Sequence, residues 1–347
     1  MYAILYIMKT SSILAGVIVF VIVILLALFL HNRISDTSQE SSADLARVSQ
    51  DPDAEFAFSD IGLQTNTNKL LIPFDEILGG GPPKDGIPSL SGDEVNFVSA
   101  GQALSIPEDS LGVLIATEDE TRFYPYTILV WHEIVNDTID GVDIAVTFCP
   151  LCGSAVTYSS EVNGKKTEFG VSGKLWQSNL LMYDIETESL WSQIEGKAVV
   201  GDRIGEELEM YPMQLVTFSE AKASDPELQV LSEDTGYARE YGFYPYGDYE
   251  DREELIFPVN NLNTTLPAKT LMYASVISGE AVAFRREVLL EEKKAVLETK
   301  KNEIITATVD ENNLITLTDQ SGKTYPGYVT MWFSWANHNE GEVWMGE

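Results

Sequence analysis

Between Leu111 and Asp310 the chain returns again and again to short β-type runs cut off by Gly, Pro, Asn or Asp: "LGVLIATE", "VDIAVTF", "SAVTYSS", "KTEFGVSG", "KAVVG" and "IITATVD". Runs this short and this rich in β-branched residues cannot make long helices, so the body is expected to be β-rich. Helical pattern is scarcer. "RFYPYTILVWHEIV" and "QLVTFSEAKASDPELQ" are each expected to hold a helix, and "REVLLEEKKAVLETKK" looks helical by charge and composition, or else is a modified connection. "GGGPPKDGIP", Gly79 to Pro88, can continue neither structure and must be loop. No Gly-Lys-Ser/Thr follows its glycines, so it is not a phosphate-binding loop.

Two stretches of the second half echo the first. "LGVLIATEDETRFYPYTIL" from Leu111 reads like "LMYASVISGEAVAFRREVL" from Leu271, and "VTFSEAKASDPELQVL" from Val216 reads like "VTMWFSWANHNEGEVWM" from Val329. A degenerate duplication with halves at about 111–232 and 271–347 explains both, the second half being shorter and without the cysteine segment. The expected fold is therefore β-rich α+β: two degenerate repeats of a mainly antiparallel β unit with short helices, after an N-terminal transmembrane helix.

That helix is read from "ILAGVIVFVIVILLALFL", Ile13 to Leu30, an unbroken apolar run of eighteen residues. It exceeds the apolar core of a cleaved signal peptide, and no small-residue cleavage site precedes the polar "HNRISDTSQESSAD". The expected layout is an N-terminal segment over 1–12, a membrane anchor over 13–30, a flexible tether over 31–55 and a globular domain over 56–347. Lys9 and Arg33 flank the run on both sides, so charge alone does not orient it. The signal-anchor layout, a cysteine pair able to survive oxidation and two sequons, at Asn136 and Asn263, favour an extracytoplasmic domain. The formal charge of −32, from 54 acidic and 22 basic residues, would repel nucleic acid and anionic headgroups. The membrane, through the N-terminal helix, is the one partner the sequence names; a protein or small-molecule partner is not specified.

Both cysteines fall in "VTFCPLCGSAVTY", Cys149 and Cys152. The Cys-Pro-Leu-Cys-Gly spacing suits a metal knuckle, but a closed zinc site needs four ligands and the chain has only His31, His132 and His338 besides. An open three-ligand site from Cys149, Cys152 and His132 is easier to build, for zinc, or for copper if Met182 or Met331 joins it. A redox pair is the second reading. The β-branched, alternating "GSAVTYSS" that follows places the pair on a strand-turn-strand instead of at a helix start, which leaves His132, next to Glu133, as the activator. A structural disulfide in a binding or scaffold protein is the third. There is no Gly-x-Ser-x-Gly elbow and no His-Glu-x-x-His pair, and no pair of carboxylates stands out for glycosidase chemistry. The aromatic clusters "YGFYPYGDYE" and "MWFSWAN" are expected to pack rather than to stack a ligand.

Together "RFYPYTILVWHEIVND", "VTFCPLCGSAV", "FGVSGKLWQSNLLMYD", "ETESLWSQIEGKAVVG" and "YGFYPYGDY" resemble the family called domain of unknown function 3179, over most of Leu111 to Tyr249. The resemblance implies a bacterial or archaeal origin and often an extracytoplasmic setting. Some members are labelled selenoproteins, which would favour redox chemistry at Cys149 or Cys152, a selenol being useful for its lower pKa. The motif residues that the resemblance implies for one site are His132, Glu133, Cys149, Cys152, Ser172, Tyr183, Asp184, Trp191 and Gln193. The chain departs from the family's pattern at "WFSWANHNEGEVW", so His338 is not carried into the site, and in the Lys/Glu-rich stretch from Arg285 to Asn302. The leading expectation is thiol/disulfide redox chemistry by Cys149 and Cys152 with His132 and Glu133, and with Ser172, Tyr183, Asp184, Trp191 and Gln193 on the substrate side. Zinc or copper binding by Cys149, Cys152 and His132 is the alternative; the cofactor is then a metal ion, and otherwise none.

Overall fold

A computed structural model describes residues 62–346. The expected N-terminal segment, anchor and tether, with His31, lie outside the described residues. Among the described residues no helix is long and apolar enough to cross a membrane.

The described body is β-rich, with four short α-helices and several mainly antiparallel sheets. Each of the six short runs named above overlaps a strand: Leu111–Ala116, Val142–Cys149, Ser154–Ser159, Phe169–Trp176, Lys197–Val200 and Ile304–Val309. The central sheet has seven strands in the order Gly341–Trp344, Glu280–Arg285, Leu271–Ile277, Tyr328–Met331, Ser154–Ser159, Val142–Cys149, Ile134–Ile139. Its interior strands are covered on both faces, which is why "IAVTFC" reads as a continuous buried run and not as an alternation. Ile144, Val146 and Phe148 enter one core with Ile128 and Leu129, while Ala145 and Cys149 enter a second.

The second core is completed by Val171, Leu180, Met182 and Trp191 from a five-stranded sheet ordered Ile77–Gly79, Phe169–Trp176, Asn179–Asp184, Leu190–Ser192, Lys197–Val200. Strand Phe169–Trp176 carries a bulge between Val171 and Lys174. Gly173 sits there at φ +74°, and a Cβ on it would lie 2.2 Å from the Pro82 carbonyl oxygen, so only glycine fits. This bulge docks the "GGGPPKDGIP" loop, through Gly80 N–H to Gly173 O at 2.8 Å and Asp85 N–H to Val171 O at 2.9 Å.

The helix Tyr126–His132 begins directly after Pro125, whose fixed φ and missing N–H suit a helix start, and stops at Glu133 in the left-handed conformation, φ 57°. In the second half Arg286–Glu292 is a helix of the same seven residues, stopped at Lys293, φ 61°. The rest of "REVLLEEKKAVLETKK" is not helical: Lys294–Glu298 is a strand that buries Ala295 and Leu297 and exposes the residues between them. Charge and composition favour helix there, but the apolar period of two won, because Ala295 and Leu297 pair with Ala307 and Ile305 on the neighbouring strand.

Strand Gln214–Thr217 pairs antiparallel with Leu111–Ala116, and the helix Phe218–Ser224 leads to Gln229–Leu231, which pairs parallel with Thr121–Pro125. Strand Tyr328–Met331 pairs antiparallel with Leu271–Ile277, and the helix Trp332–His338 leads to Gly341–Trp344, parallel to Glu280–Arg285.

Candidate functional site

Cys149 ends one strand of a hairpin and Cys152 lies in the Pro150–Gly153 connection to the next, with Cys149 paired to Ser154. The pair thus sits on a strand-turn-strand, and no helix N-terminus faces it through this connection. Gly153 adopts φ +54°, the left-handed conformation that lets the chain return. The connection is pinned by the second half of the molecule: Met331 N–H donates to Cys152 O at 2.9 Å. Both cysteines are free thiols, 1% and 0% exposed.

Cys152 Sγ is surrounded by donors. Asn179 Nδ2 lies 3.0 Å away and Ser154 Oγ 3.1 Å, the Cys152 thiol itself reaches Cys149 O at 3.8 Å, and the Cys149 side chain lies beside it. Burial pushes the Cys152 thiol up, but the hydrogen bonds from Cys149, Ser154 and Asn179 outweigh burial and hold it below the ordinary thiol range. Burial, followed by the hydrogen bond to Cys152, pushes Cys149 well above that range. Gln193 holds the donors in place: its Oε1 accepts from Ser154 Oγ at 2.6 Å and Asn179 Nδ2 at 2.8 Å, and its Nε2 donates to Thr147 Oγ1 at 2.9 Å. The single hydrogen of Ser154 can serve Gln193 or Cys152 but not both, so it is free to donate to the sulfur only by leaving Gln193 Oε1.

Glu133 is the acid beside this pair. Its side chain is buried and interacts electrostatically with both thiols, and burial first, then the Cys152 charge, push its carboxyl up to about 8. At neutral pH it therefore carries a proton. The left-handed backbone at Glu133 turns the chain from helix into strand Ile134–Ile139, with its carbonyl accepting Phe148 N–H at 2.7 Å. Tyr126 completes the wall. Its hydroxyl is buried, interacts electrostatically with Cys152 and has no hydrogen-bond partner among the described residues. The segment from Tyr241 to Tyr249 covers the pair: Tyr249 OH donates to Leu151 O at 2.8 Å, Tyr249 interacts with both thiols, and Tyr246 with Cys149 and Glu133.

His132 is held elsewhere. Its Nδ1–H donates to Pro88 O at 2.8 Å and its Nε2 accepts from Tyr241 OH at 2.8 Å, so both ring nitrogens are used. Burial lowers its pKa to about 4, which keeps the ring neutral. Among the described residues no group of three or more His, Cys, Asp or Glu side chains is placed to hold a metal ion. It is Glu133, the next residue along, and not His132, that interacts electrostatically with the sulfurs.

Of the five residues expected on the substrate side, Gln193 reaches the thiol network; the polar groups of the other four are engaged away from the sulfurs. Ser172 Oγ donates to Leu181 O and accepts Lys174 N–H at 3.0 Å, locking the bulge. Tyr183 OH donates to Asp85 at 2.8 Å. Asp184 accepts Thr187 N–H at 2.7 Å and Trp191 Nε1–H at 3.0 Å, an arrangement that closes the turn between their strands. The residues missed by sequence reasoning are Ser154, Asn179, Tyr126 and Tyr249. A signal existed for Ser154, since a four-residue connection puts it opposite Cys149, but none for Asn179, which is 27 positions from Cys152. Asn136, one of the two sequons, is buried, with Nδ2 donating to Phe169 O at 2.9 Å and to Ser91 Oγ at 3.0 Å. It is not available for glycosylation and says nothing about the side of the membrane.

No curated protein and no solved structure matches the chain. The family profile described as "Protein of unknown function (DUF3179)" matches residues 84–341, a span that includes the hairpin, Glu133, Asn179, Gln193 and the tyrosine-rich cover, and the chain belongs to that family.

Proposed function

We propose that the chain is a thiol-based oxidoreductase whose centre is Cys149–Cys152, with Glu133 as proton carrier, anchored by Ile13–Leu30 with its body on the extracytoplasmic side. The observation that carries this reading is the polar surround of Cys152 Sγ: Asn179 Nδ2 donates to it at 3.0 Å, and Ser154 Oγ, 3.1 Å away, becomes a second donor once its hydrogen turns from Gln193 Oε1. A disulfide sulfur is a poor acceptor and a staple needs no such donors, whereas a thiolate does. The low-lying thiol of Cys152 beside the high-lying one of Cys149 gives an attacking sulfur and a resolving sulfur, in that order. Zinc or copper binding by Cys149, Cys152 and His132 has less support, because both nitrogens of His132 are already used. The matching succession of strand, strand, seven-residue helix, left-handed residue and strand in the two halves, and the matching parallel pairings at their ends, support a duplication in which only the first copy bears the thiols.

The test is thiol titration and metal analysis of the purified full-length chain before and after reduction. The expected result is two thiols that are lost and regained reversibly, with no stoichiometric metal. A pair that stays oxidised under dithiothreitol in the native state, or metal at one equivalent that His132→Ala releases, overturns the reading.

A further inference from the structure

Two polar side chains interact electrostatically with the thiols, and neither makes a side-chain hydrogen bond among the described residues. Tyr126 OH has none among the described residues, and the buried carboxyl of Glu133 touches the pair only through its electrostatic interaction with the two sulfurs. Leaving a buried hydroxyl unmet is unfavourable, so such a place is more stable with a small polar molecule in it. Tyr126 also lines a cavity of about 290 Å³ with Leu111, Tyr244 and Glu250, on the side of the tyrosine-rich cover. The sulfurs themselves are 1% and 0% exposed. Sulfurs this enclosed favour an oxidant little larger than water over a peptide disulfide or a glutathione-sized molecule, which would have to displace the cover to lay a sulfur in line with Cys152.

We propose that the oxidant of the Cys149–Cys152 pair is hydrogen peroxide or a hydroperoxide of similar size, a substrate assignment that rests on the thiol-redox reading above. The Cys152 thiolate attacks one peroxide oxygen. The S–O bond forms, the O–O bond breaks, and the departing hydroxide takes the proton of the Glu133 carboxyl and leaves as water. The Asn179 amide, released from the thiolate charge, remains within reach of the new sulfenic acid. Cys149 then attacks Cys152: the S–S bond forms, the S–O bond breaks, and the second hydroxide takes the proton that Cys149 gives up. One thiolate, one thiol, one carboxylic acid and one hydrogen peroxide become one disulfide, two waters and one carboxylate, which regains its proton from solvent. The sulfurs lose two electrons and the O–O bond gains them, so this half-reaction is balanced without any further reagent.

The test uses the full-length chain in detergent, reduced with dithiothreitol, desalted under argon and mixed in separate runs with hydrogen peroxide and with oxidised glutathione. Thiol loss is followed against free cysteine at the same pH. The expected result is two thiols lost per peroxide, at least about tenfold faster than free cysteine, with oxidised glutathione no faster than its reaction with free cysteine. Cys149→Ser, checked by circular dichroism to be folded, should trap one dimedone adduct on Cys152. If oxidised glutathione oxidises the pair faster than peroxide does, the substrate class is wrong and the redox reading stands. If neither oxidant converts the pair, both fall. An adduct on Cys149 of Cys152→Ser, with none on Cys152 of Cys149→Ser, reverses the roles and overturns the scheme.

Discussion

Asn179 Nδ2 lies 3.0 Å from Cys152 Sγ and 2.8 Å from Gln193 Oε1, so a single amide joins the sulfur of the central sheet to the five-stranded sheet beside it. Charge on Cys152 is therefore set by how the two sheets are held together. Replacing the amide by an apolar group of similar size removes a donor while leaving the packing. Asn179→Leu should raise the pKa of Cys152 by roughly one to two units, since a hydrogen bond to a charged group is worth about 1.5–3 kcal/mol. Thiolate absorbance near 240 nm against pH reads this without any need for reagent access, and an unchanged titration would show that Asn179 does not hold the charge.

Glu133 gives a stability signature of its own. Its folded pKa, about 8, lies above the ordinary value of 4.5, so between these limits the folded state holds a proton that the unfolded state has lost. Stability contributed at this site is complete below about pH 4.5, falls as pH rises toward 8 and is flat beyond. Glu133→Gln keeps shape and removes the titration, so the variant should gain on the wild type through that window, by the order of a few kcal/mol at pH 8. Urea unfolding at pH 5, 6.5 and 8 tests it; parallel curves for the two proteins would place the carboxyl in water.

His132 has the opposite sign. Its folded pKa, about 4, lies below the ordinary 6.5, so the unfolded state binds the extra proton and stability is lost as pH falls from 6.5 toward 4. His132→Leu should lower stability at pH 7 by about 1–3 kcal/mol, through the unmet Pro88 carbonyl, while the Tyr241 hydroxyl keeps Thr235 Oγ1 as partner, and flatten that acid limb. It should leave the thiolate titration where it was. A shift of that titration by a unit or more would restore His132 as the activator.

Tyr249 ties the cover to the cysteine connection through one hydrogen bond, Tyr249 OH to Leu151 O at 2.8 Å. Tyr249→Phe removes that bond and the contact of the hydroxyl with the Ile256 backbone, at about 1 kcal/mol, and opening of the cover should become roughly fivefold more frequent. Labelling of Cys152 by a small alkylating agent at fixed pH should speed up by the same factor, with the thiolate titration unmoved. Equal labelling rates would mean that access runs by another route.

Gly173 has neither space nor backbone freedom to spare. A Cβ there would stand 2.2 Å from Pro82 O at φ +74°, so Gly173→Ala should destabilise the fold by about 2–4 kcal/mol and loosen the loop that supplies Pro88 O to His132. Thermal unfolding measures the first effect and histidine titration by NMR the second, where the His132 pKa should move back up toward 6.5. A variant as stable as the wild type would mean that the loop yields.

Much of this molecule is local in origin and legible as such. β-Branched runs ended by turn residues fix the strands, Pro125 starts a helix, and the β-branched "GSAVTYSS" after the cysteines marks their connection as a turn between strands and not as a helix start. The end of the charged stretch after Arg285 was hidden because Ala295 and Leu297 show a period of two only once Ile305 and Ala307 lie beside them. The choice between His132 and Glu133 was hidden for a related reason. They are adjacent in the chain, and the single left-handed turn at Glu133 sends one ring to Pro88 and Tyr241 and the other side chain to the thiols. The donors that set the charge on Cys152 come from Asn179 and, through Gln193, from two further strands, and the cover comes from Tyr249 almost a hundred residues on. Sequence decides which elements form because that choice is made by neighbours along the chain. Which side chains meet the sulfur is decided by sheet-to-sheet packing, where the register of distant strands, and nothing within reach of a local motif, sets the distances.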